Sequence, residues 1–394
     1  MMNQRIAFFG LTRDVSTNPT LLLLFEKFHE MGAVVELFAP PPEGYLSPEQ
    51  IISRRSFPHI FRLWAGGPQR TLRHWILFIS SRSWKSHSYI KKRSYDLFFG
   101  IDSAGVIAAH RMSKRFSVPF IYLSFEMFFR DELTSRSELD EKSLEIHAAR
   151  DAAMVIIQDP WRANLLAEEN RIPLEKFAYL PVSPSGAPRA RNTEYLRQRF
   201  DIPKNKTIVL QPGSFAPWTY SNELLAGVSE WADDFVLVIH TNRVPSKSNK
   251  EFARLQQGSP SNVYFSTQPL SMGGYEKLVS SADIGLALYK PMALSRDTQK
   301  NIQHIGLSSG KFAFFMKYGV PTLSVRQETY RSLLKEYVFG EDLDSIHDIP
   351  EALNRIRNNY DFHSQEAKRL FSEKLDFDKK WPEIQRRILN LTGA

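Results

Sequence analysis

The chain has 394 residues, 42% of them hydrophobic and 24% charged, with a formal net charge of +8 and no cysteine. That length exceeds one ordinary core and predicts two domains. The lack of cysteine excludes disulfides, thiolate metal sites and a thiol nucleophile, and no window approaches the run of apolar residues that a membrane-spanning helix needs.

Taken in chain order, the first elements alternate. "RIAFFG" (5–10) is a short apolar run ending in glycine, too short for a signal h-region and placed where a first strand belongs. "NPTLLLLFEKFHEMG" (18–32) predicts a helix with Asn18 as N-cap, Pro19 in its first turn and Gly32 as its stop. "AVVELFAP" (33–40) is the next strand. "YDLFFGI" (95–101) and "VPFIYLS" (118–124) are strands flanking a helix of about 14 residues. "AAMVIIQ" (152–158) is a buried strand, Asp159 and Pro160 open the helix "WRANLLAEEN", and "FAYLP" (177–181) closes this half. Buried apolar strands separated by helices predict a parallel, doubly wound sheet.

Between the second and third strands, residues 50–95 carry ten Lys/Arg and no Asp/Glu, including Arg54, Arg55, Lys91 and Lys92. Aromatics such as Trp64, Trp75 and Trp84 are interleaved. This composition suits an anionic bilayer surface. It also fits a solvated face with its aromatics in a core. It suits single-stranded nucleic acid least, and no nucleic-acid partner is expected.

"VSPSGAPRARN" (182–192) has turn composition and reads as a linker. A second alternating set follows: "KTIVLQPGS" (206–214), "FVLVIHTN" (235–242), "NVYFS" (262–266), the helix "YEKLVSSA" and the strand "DIGLALY" (283–289). Then comes "NIQHIGLSSGKFAFFMKYGVPTLS" (301–324). Gly319 suits the left-handed residue that ends a helix, and Pro321 cannot continue one. A helix N-terminus at Ser308, Ser309, Gly310 and Lys311 would favour an anion such as phosphate. The serines could equally serve only as caps. Helical segments at 346–359, 361–375 and 378–391 end the chain.

Three stretches, "SADIGLALYKP" (281–291), "GLSSGKFAFFMKYGVPTLS" (306–324) and "AARDAAMVIIQDPWRANLLAEENRIPLEKFAYLP" (148–181), resemble a GT-B nucleotide-sugar glycosyltransferase of the family 4-like, retaining kind. The likeness in element order covers nearly the whole chain. It implies an α/β architecture of two doubly wound (Rossmann-like) domains facing a cleft. The N-terminal domain (1–185) would bind the acceptor, with the last helix (378–394) crossing back to it. The C-terminal domain (200–376) would bind the nucleotide sugar. The sequence departs from the family at named places. The turn "GSFAPWTYSN" (213–222) lacks the usual Arg and Lys. Gly306 and Phe314 stand where a pair of glutamates is usual, and Phe125 stands where a His-Glu pair would start.

The resemblance assigns Ser308, Ser309, Gly310 and Lys311 to the donor diphosphate, because the breaking glycosidic bond leaves negative charge there. Gly213 and Ser214 follow the first strand of that domain. Lys290 is a candidate second cation, or a solvated lysine. His240 and Thr241 end a strand and could line the donor pocket, though a lone histidine there is commonly structural. On the acceptor side Glu126 could take a hydroxyl proton. Asp102 is a weaker candidate, because an Asp there is also a plain helix N-cap. Arg13, Asp14 and Thr17 form the first carboxyl-end loop. No HExxH, Asp-x-Asp in those loops or His/Asp spacing suggests a metal, so none is expected. No Walker or G-x-G-x-x-G motif supports ATP hydrolysis or NAD chemistry.

The expected function is transfer of a sugar from a nucleotide diphosphate sugar to a hydroxyl acceptor, a lipid-linked or cell-envelope glycan, with retention. The expected location is cytoplasmic, with segment 50–95 as a candidate contact to the inner face of a membrane. The alternatives are a nucleotide-sugar epimerase-type GT-B enzyme and a non-catalytic nucleotide-sugar or glycan-binding protein of the same fold.

Overall fold

A computed structural model describes residues 4–10, 18–38, 94–242 and 255–393. The loop with Arg13, Asp14 and Thr17, and nearly all of the basic segment 50–95, lie outside the described residues. The chain divides into two compact units: residues 1–182 with 377–394, and residues 183–376.

The first unit is built on a parallel sheet of β1 (Arg5–Phe9), β2 (Val34–Phe38), β3 (Leu97–Ile101), β4 (Phe120–Leu123), β5 (Met154–Ile157) and β6 (Phe177–Tyr179). Its order is β2-β1-β3-β4-β5-β6. Nearly every residue of the four central strands is buried, which explains why they read as unbroken apolar runs rather than alternating ones. Asn18 caps the helix Pro19–Glu30 by accepting from the Leu21 amide at 3.0 Å. Gly105, in the helix after β3, lies so close to the sheet that an added Cβ would meet the Phe9 carbonyl oxygen at 2.2 Å. Only glycine allows that helix to sit there, and its seat fixes where Asp102 begins.

The last helix, Phe377–Thr392, belongs to this unit. Phe377, Trp381, Ile384 and Ile388 recur at helical spacing and are all buried. Trp381 meets Phe28 edge to face at 5.5 Å, and each such residue contributes about 1.5–3 kcal/mol of burial. Lys27 pairs with Asp378 at 3.2 Å.

The second unit carries β7 (Thr207–Pro212), β8 (Phe235–His240), β9 (Val263–Ser266), β10 (Ile284–Leu286), β11 (Thr322–Val325) and β12 (Gly340–Leu343), all parallel, in the order β12-β11-β10-β7-β8-β9. The strand order reverses direction between β7 and β10. In open parallel sheets, ligands bind at the carboxyl ends of the strands at such a switch point. Gly319 takes φ +60° just past Tyr318, the C-cap of the helix Gly310–Lys317, as its position predicts.

One long helix, Arg136–Asp151, has no counterpart in the sequence reading. Its buried face is Lys142, Glu145, Ala148 and Ala149, so it shows no apolar stripe. Lys142 and Glu145 are both buried and lie 3.3 Å apart, and Glu145 also accepts from Tyr122 and Asn170, each at 3.0 Å. The signal that would have found the helix is the capping box of Ser135 and Glu138.

Candidate active site

In the second unit, Ser309 caps the helix Gly310–Lys317. Its Oγ accepts from the Phe312 amide at 3.4 Å and lies 2.5 Å from the Tyr289 hydroxyl. The capping reading of Ser309 therefore holds, and its hydroxyl is already engaged. The first amides of this helix, on Gly310 and Lys311, have no acceptor within the helix. Ser308 ends a short 3-10 turn and is partly exposed.

Lys311 extends from that first turn to the carboxyl end of β7. Its ammonium donates to the Pro212 carbonyl at 3.3 Å and sits 4.5 Å from the Tyr289 ring centre. Among the described residues no carboxylate pairs with it. Burial lowers its pKa to about 7, because nothing offsets the loss of water around the charge. Gly213, at φ +114°, has open space where a side chain would be. Its own N–H is donated to the His240 carbonyl at 2.9 Å, so Gly213 supplies room there rather than an amide. The Ser214 carbonyl accepts from the Thr219 hydroxyl at 2.9 Å.

Lys290 and His240 are placed differently from Lys311. Lys290 lies 2.5 Å from Glu223, whose carboxylate raises its pKa, so its charge is already compensated. His240 is buried, with Nδ1 3.0 Å from Ser266 Oγ and Nε2 3.0 Å from Asn242 Oδ1. Burial lowers its pKa to about 4, so the ring is neutral near pH 7, and both its nitrogens are already engaged. Thr241 is buried beside it. Phe314, at a position where the family has a glutamate, is buried edge to face with Tyr275 at 5.2 Å.

In the first unit, Asp102, Glu126 and Arg162 gather at the carboxyl ends of β3, β4 and β5. Asp102 is not a helix cap. It is the first helical residue, at φ +54°, and its Oδ1 accepts from the Phe125 amide at 2.7 Å and the Glu126 amide at 3.0 Å. Burial, and then the neighbouring Glu126 carboxylate, raise its pKa to about 7 against the pull of those two amides. Glu126 itself is exposed.

Arg162 was missed in the sequence. It is 1% exposed and donates from Nε to Gln158 Oε1 at 2.9 Å and from Nη2 to the Phe125 carbonyl at 2.7 Å. Gln158 in turn donates to the Ser124 carbonyl at 2.6 Å. Asp102 and Arg162 thus hold the Ser124–Glu126 backbone from two sides. A signal existed: a cation in the first turn of a helix opposes the helix dipole and implies compensating partners.

The order of the two sheets and the helices between their strands define the GT-B fold of two Rossmann-like domains. The fold is shared, over full length, with solved glycosyltransferases of low sequence identity. Sucrose-phosphate synthase from Thermosynechococcus elongatus matches with a TM-score of 0.75 at 14% identity, covering 100% of both chains. HepE from Anabaena, solved in complex with UDP-glucose, matches at 0.72 and 12% identity, covering 98% of this chain and 100% of that one. The lipopolysaccharide outer core galactosyltransferase WaaB matches at 0.61 and 14% identity, covering 98% and 99%. No family model matches the chain, and neither does any curated protein.

Proposed function

We propose that this chain is a glycosyltransferase that takes its sugar from a nucleoside diphosphate donor held by the second unit. The observation that carries this reading is Lys311, a half-buried lysine with no carboxylate partner among the described residues, at the switch point of the sheet. An isolated buried charge is unfavourable unless something compensates it. A diphosphate would, and it would also accept from the first amides of the helix Gly310–Lys317. Gly213 leaves room for the close approach. As the glycosidic bond breaks, negative charge grows on the diphosphate, and fixed N–H dipoles with one lysine stabilise it without rearrangement.

Lys311 would do the work of the Arg and Lys that the turn 213–222 lacks. The HepE complex makes UDP-glucose the first donor to test. In the first unit, Glu126 is the proposed group that receives the acceptor hydroxyl, on a backbone held by Asp102 and Arg162. Retention of configuration follows the family resemblance. A lipid-linked or envelope glycan acceptor follows the basic segment 50–95 and a location at the inner face of a membrane.

The test is calorimetric titration of the full chain with UDP, GDP and ADP, for the parent and Lys311→Met. Removing a charge-assisted contact worth about 1.5–3 kcal/mol should weaken the preferred nucleotide roughly ten- to a hundredfold. Equal binding by parent and variant would remove Lys311 from the site. Tight binding with no transfer to any glycan acceptor would leave a binding protein.

A further inference from the structure

The helices Asp102–Phe116 and Arg136–Asp151 pack side by side in the first unit. Near their C-terminal ends three side chains converge. His110 Nε2 lies 3.0 Å from Asp151 Oδ2. The His110 and His147 rings meet edge to face at 5.2 Å. One ligand atom from each of His110, His147 and Asp151 falls within 4.8 Å of the others. His147 and Asp151 are one turn apart on one helix, and His110 faces them from the other. The group lies roughly 12 Å along the helix axis from Asp102, so it is separate from the proposed acceptor residues.

We propose that His110, His147 and Asp151 bind a divalent transition metal, with Zn²⁺ the best match, and that the ion clamps the two helices together. Two imidazoles and one carboxylate are a ligand set that zinc accepts, with water completing a tetrahedron. Such ligands lie about 2.0–2.2 Å from zinc and therefore roughly 3.4 Å from one another. The ligand atoms lie within 4.8 Å of one another, so they would have to close on the ion by little more than an ångström. Asp151 ends its helix, where the helix dipole disfavours an anion and a cation relieves it. That cation is now Lys114, whose ammonium lies 2.9 Å from the same Oδ2 on a side chain 66% exposed. Lys114 is thus both the present partner of the carboxylate and a competitor that can swing away. A plain surface ion pair needs Asp151 and Lys114; it has no use for the second imidazole. Sequence spacing hides the group because its members come from two separate helices.

The experiment is a zinc titration of the full chain after dialysis against EDTA, read by competition with a chromophoric chelator. The parent should bind one Zn²⁺ at this site, reversibly, and melt at a higher temperature with zinc than without. His147→Ala, an exposed position whose loss leaves the fold intact, should weaken that binding at least tenfold and abolish the shift in melting. Asp151→Asn should do the same. Lys114→Gln should tighten zinc binding, because it removes the competing charge. Mg²⁺ in place of zinc should give no difference among the four proteins. If His147→Ala binds zinc as the parent does, or if Lys114→Gln weakens it, the site is not this one.

Discussion

The carboxyl ends of the two parallel sheets carry opposite electrostatic arrangements. In the first unit two carboxyl groups, Asp102 and Glu126, sit beside a buried guanidinium, and the pKa of Asp102 is pushed up to about 7. In the second unit one ammonium, Lys311, sits half-buried against carbonyl and aromatic neighbours, and its pKa is pushed down to about 7. Burial is the leading cause in both cases, and it acts on opposite charges. The first site is filled by its own partners: Asp102 takes two amides, and Arg162 takes Gln158 and a carbonyl. In the second, no carboxylate pairs with Lys311 among the described residues. The contrast separates a cluster whose polar groups hold their own backbone from a lysine to which the proposed donor would bring the anion.

The largest expected effect tests the self-satisfied half. Arg162→Ala leaves Gln158 and the Phe125 carbonyl without their buried donor and should cost about 3 kcal/mol. Urea unfolding measures it. A loss under about 0.5 kcal/mol, the range of an ordinary surface change, would mean that the arginine is dispensable to the fold.

Next comes Lys311, where stability and binding should move in opposite directions. In the unfolded chain a lysine titrates near 10.5, and in the folded protein Lys311 titrates at about 7. Between those values the unfolded chain holds the extra proton, so stability rises with pH across roughly pH 7–10. Lys311→Met should flatten that rise and leave the protein at least as stable at pH 7, while weakening UDP. In the parent, UDP affinity should fall by about tenfold per pH unit above pH 7, because the bound form needs the charge. Calorimetry in two buffers of different ionisation heat should show proton uptake on binding. A pH-independent affinity would contradict the assignment.

Asp102 sharpens the comparison from the other side. Its folded pKa lies above the ordinary 3.8, so its contribution is full below about pH 4 and is lost as pH rises to about 7. Asp102→Asn keeps the Oδ1 acceptor for both amides and should remove that titration with little change in fold. Asp102→Ala should lose about 1–3 kcal/mol as the two amides lose their acceptor. Thermal melts at pH 5 and pH 8 distinguish the variants; similar loss in Asn and Ala would mean that the charge, not the acceptor, holds the loop.

The smallest effects belong to groups already partnered. Ser309→Ala should cost about 0.5–2 kcal/mol through the lost cap, with UDP affinity nearly unchanged. Lys290→Ala should cost at most about 1 kcal/mol, because its pair with Glu223 is partly exposed. If Lys290→Ala weakens UDP as much as Lys311→Met does, the second unit has two ligand cations rather than one.

The sequence alone determined what depends on neighbours along the chain. Apolar runs such as "LFFGI" and "FVLVIH" became buried strands because a parallel sheet covered on both faces needs no polar alternation. Asn18, Asp159 and Gly319 mark helix ends through local backbone chemistry that any fold would require. Their order was enough to expect two doubly wound domains and to place Lys311 at a helix N-terminus beside a strand end. Tertiary structure decided everything that depends on desolvation and on residues far apart in sequence. Nothing local says that Lys290 finds Glu223 while Lys311 finds no carboxylate among the described residues, that Asp102 holds the backbone after β4 instead of capping its own helix, or that Arg162 is buried. The helix Arg136–Asp151 escaped because its buried face is an ion pair and alanines, and with it went the meeting of His110, His147 and Asp151. A charge's energy depends on the water it loses and the partners it gains, and both are settled only when the sheet order brings distant segments together.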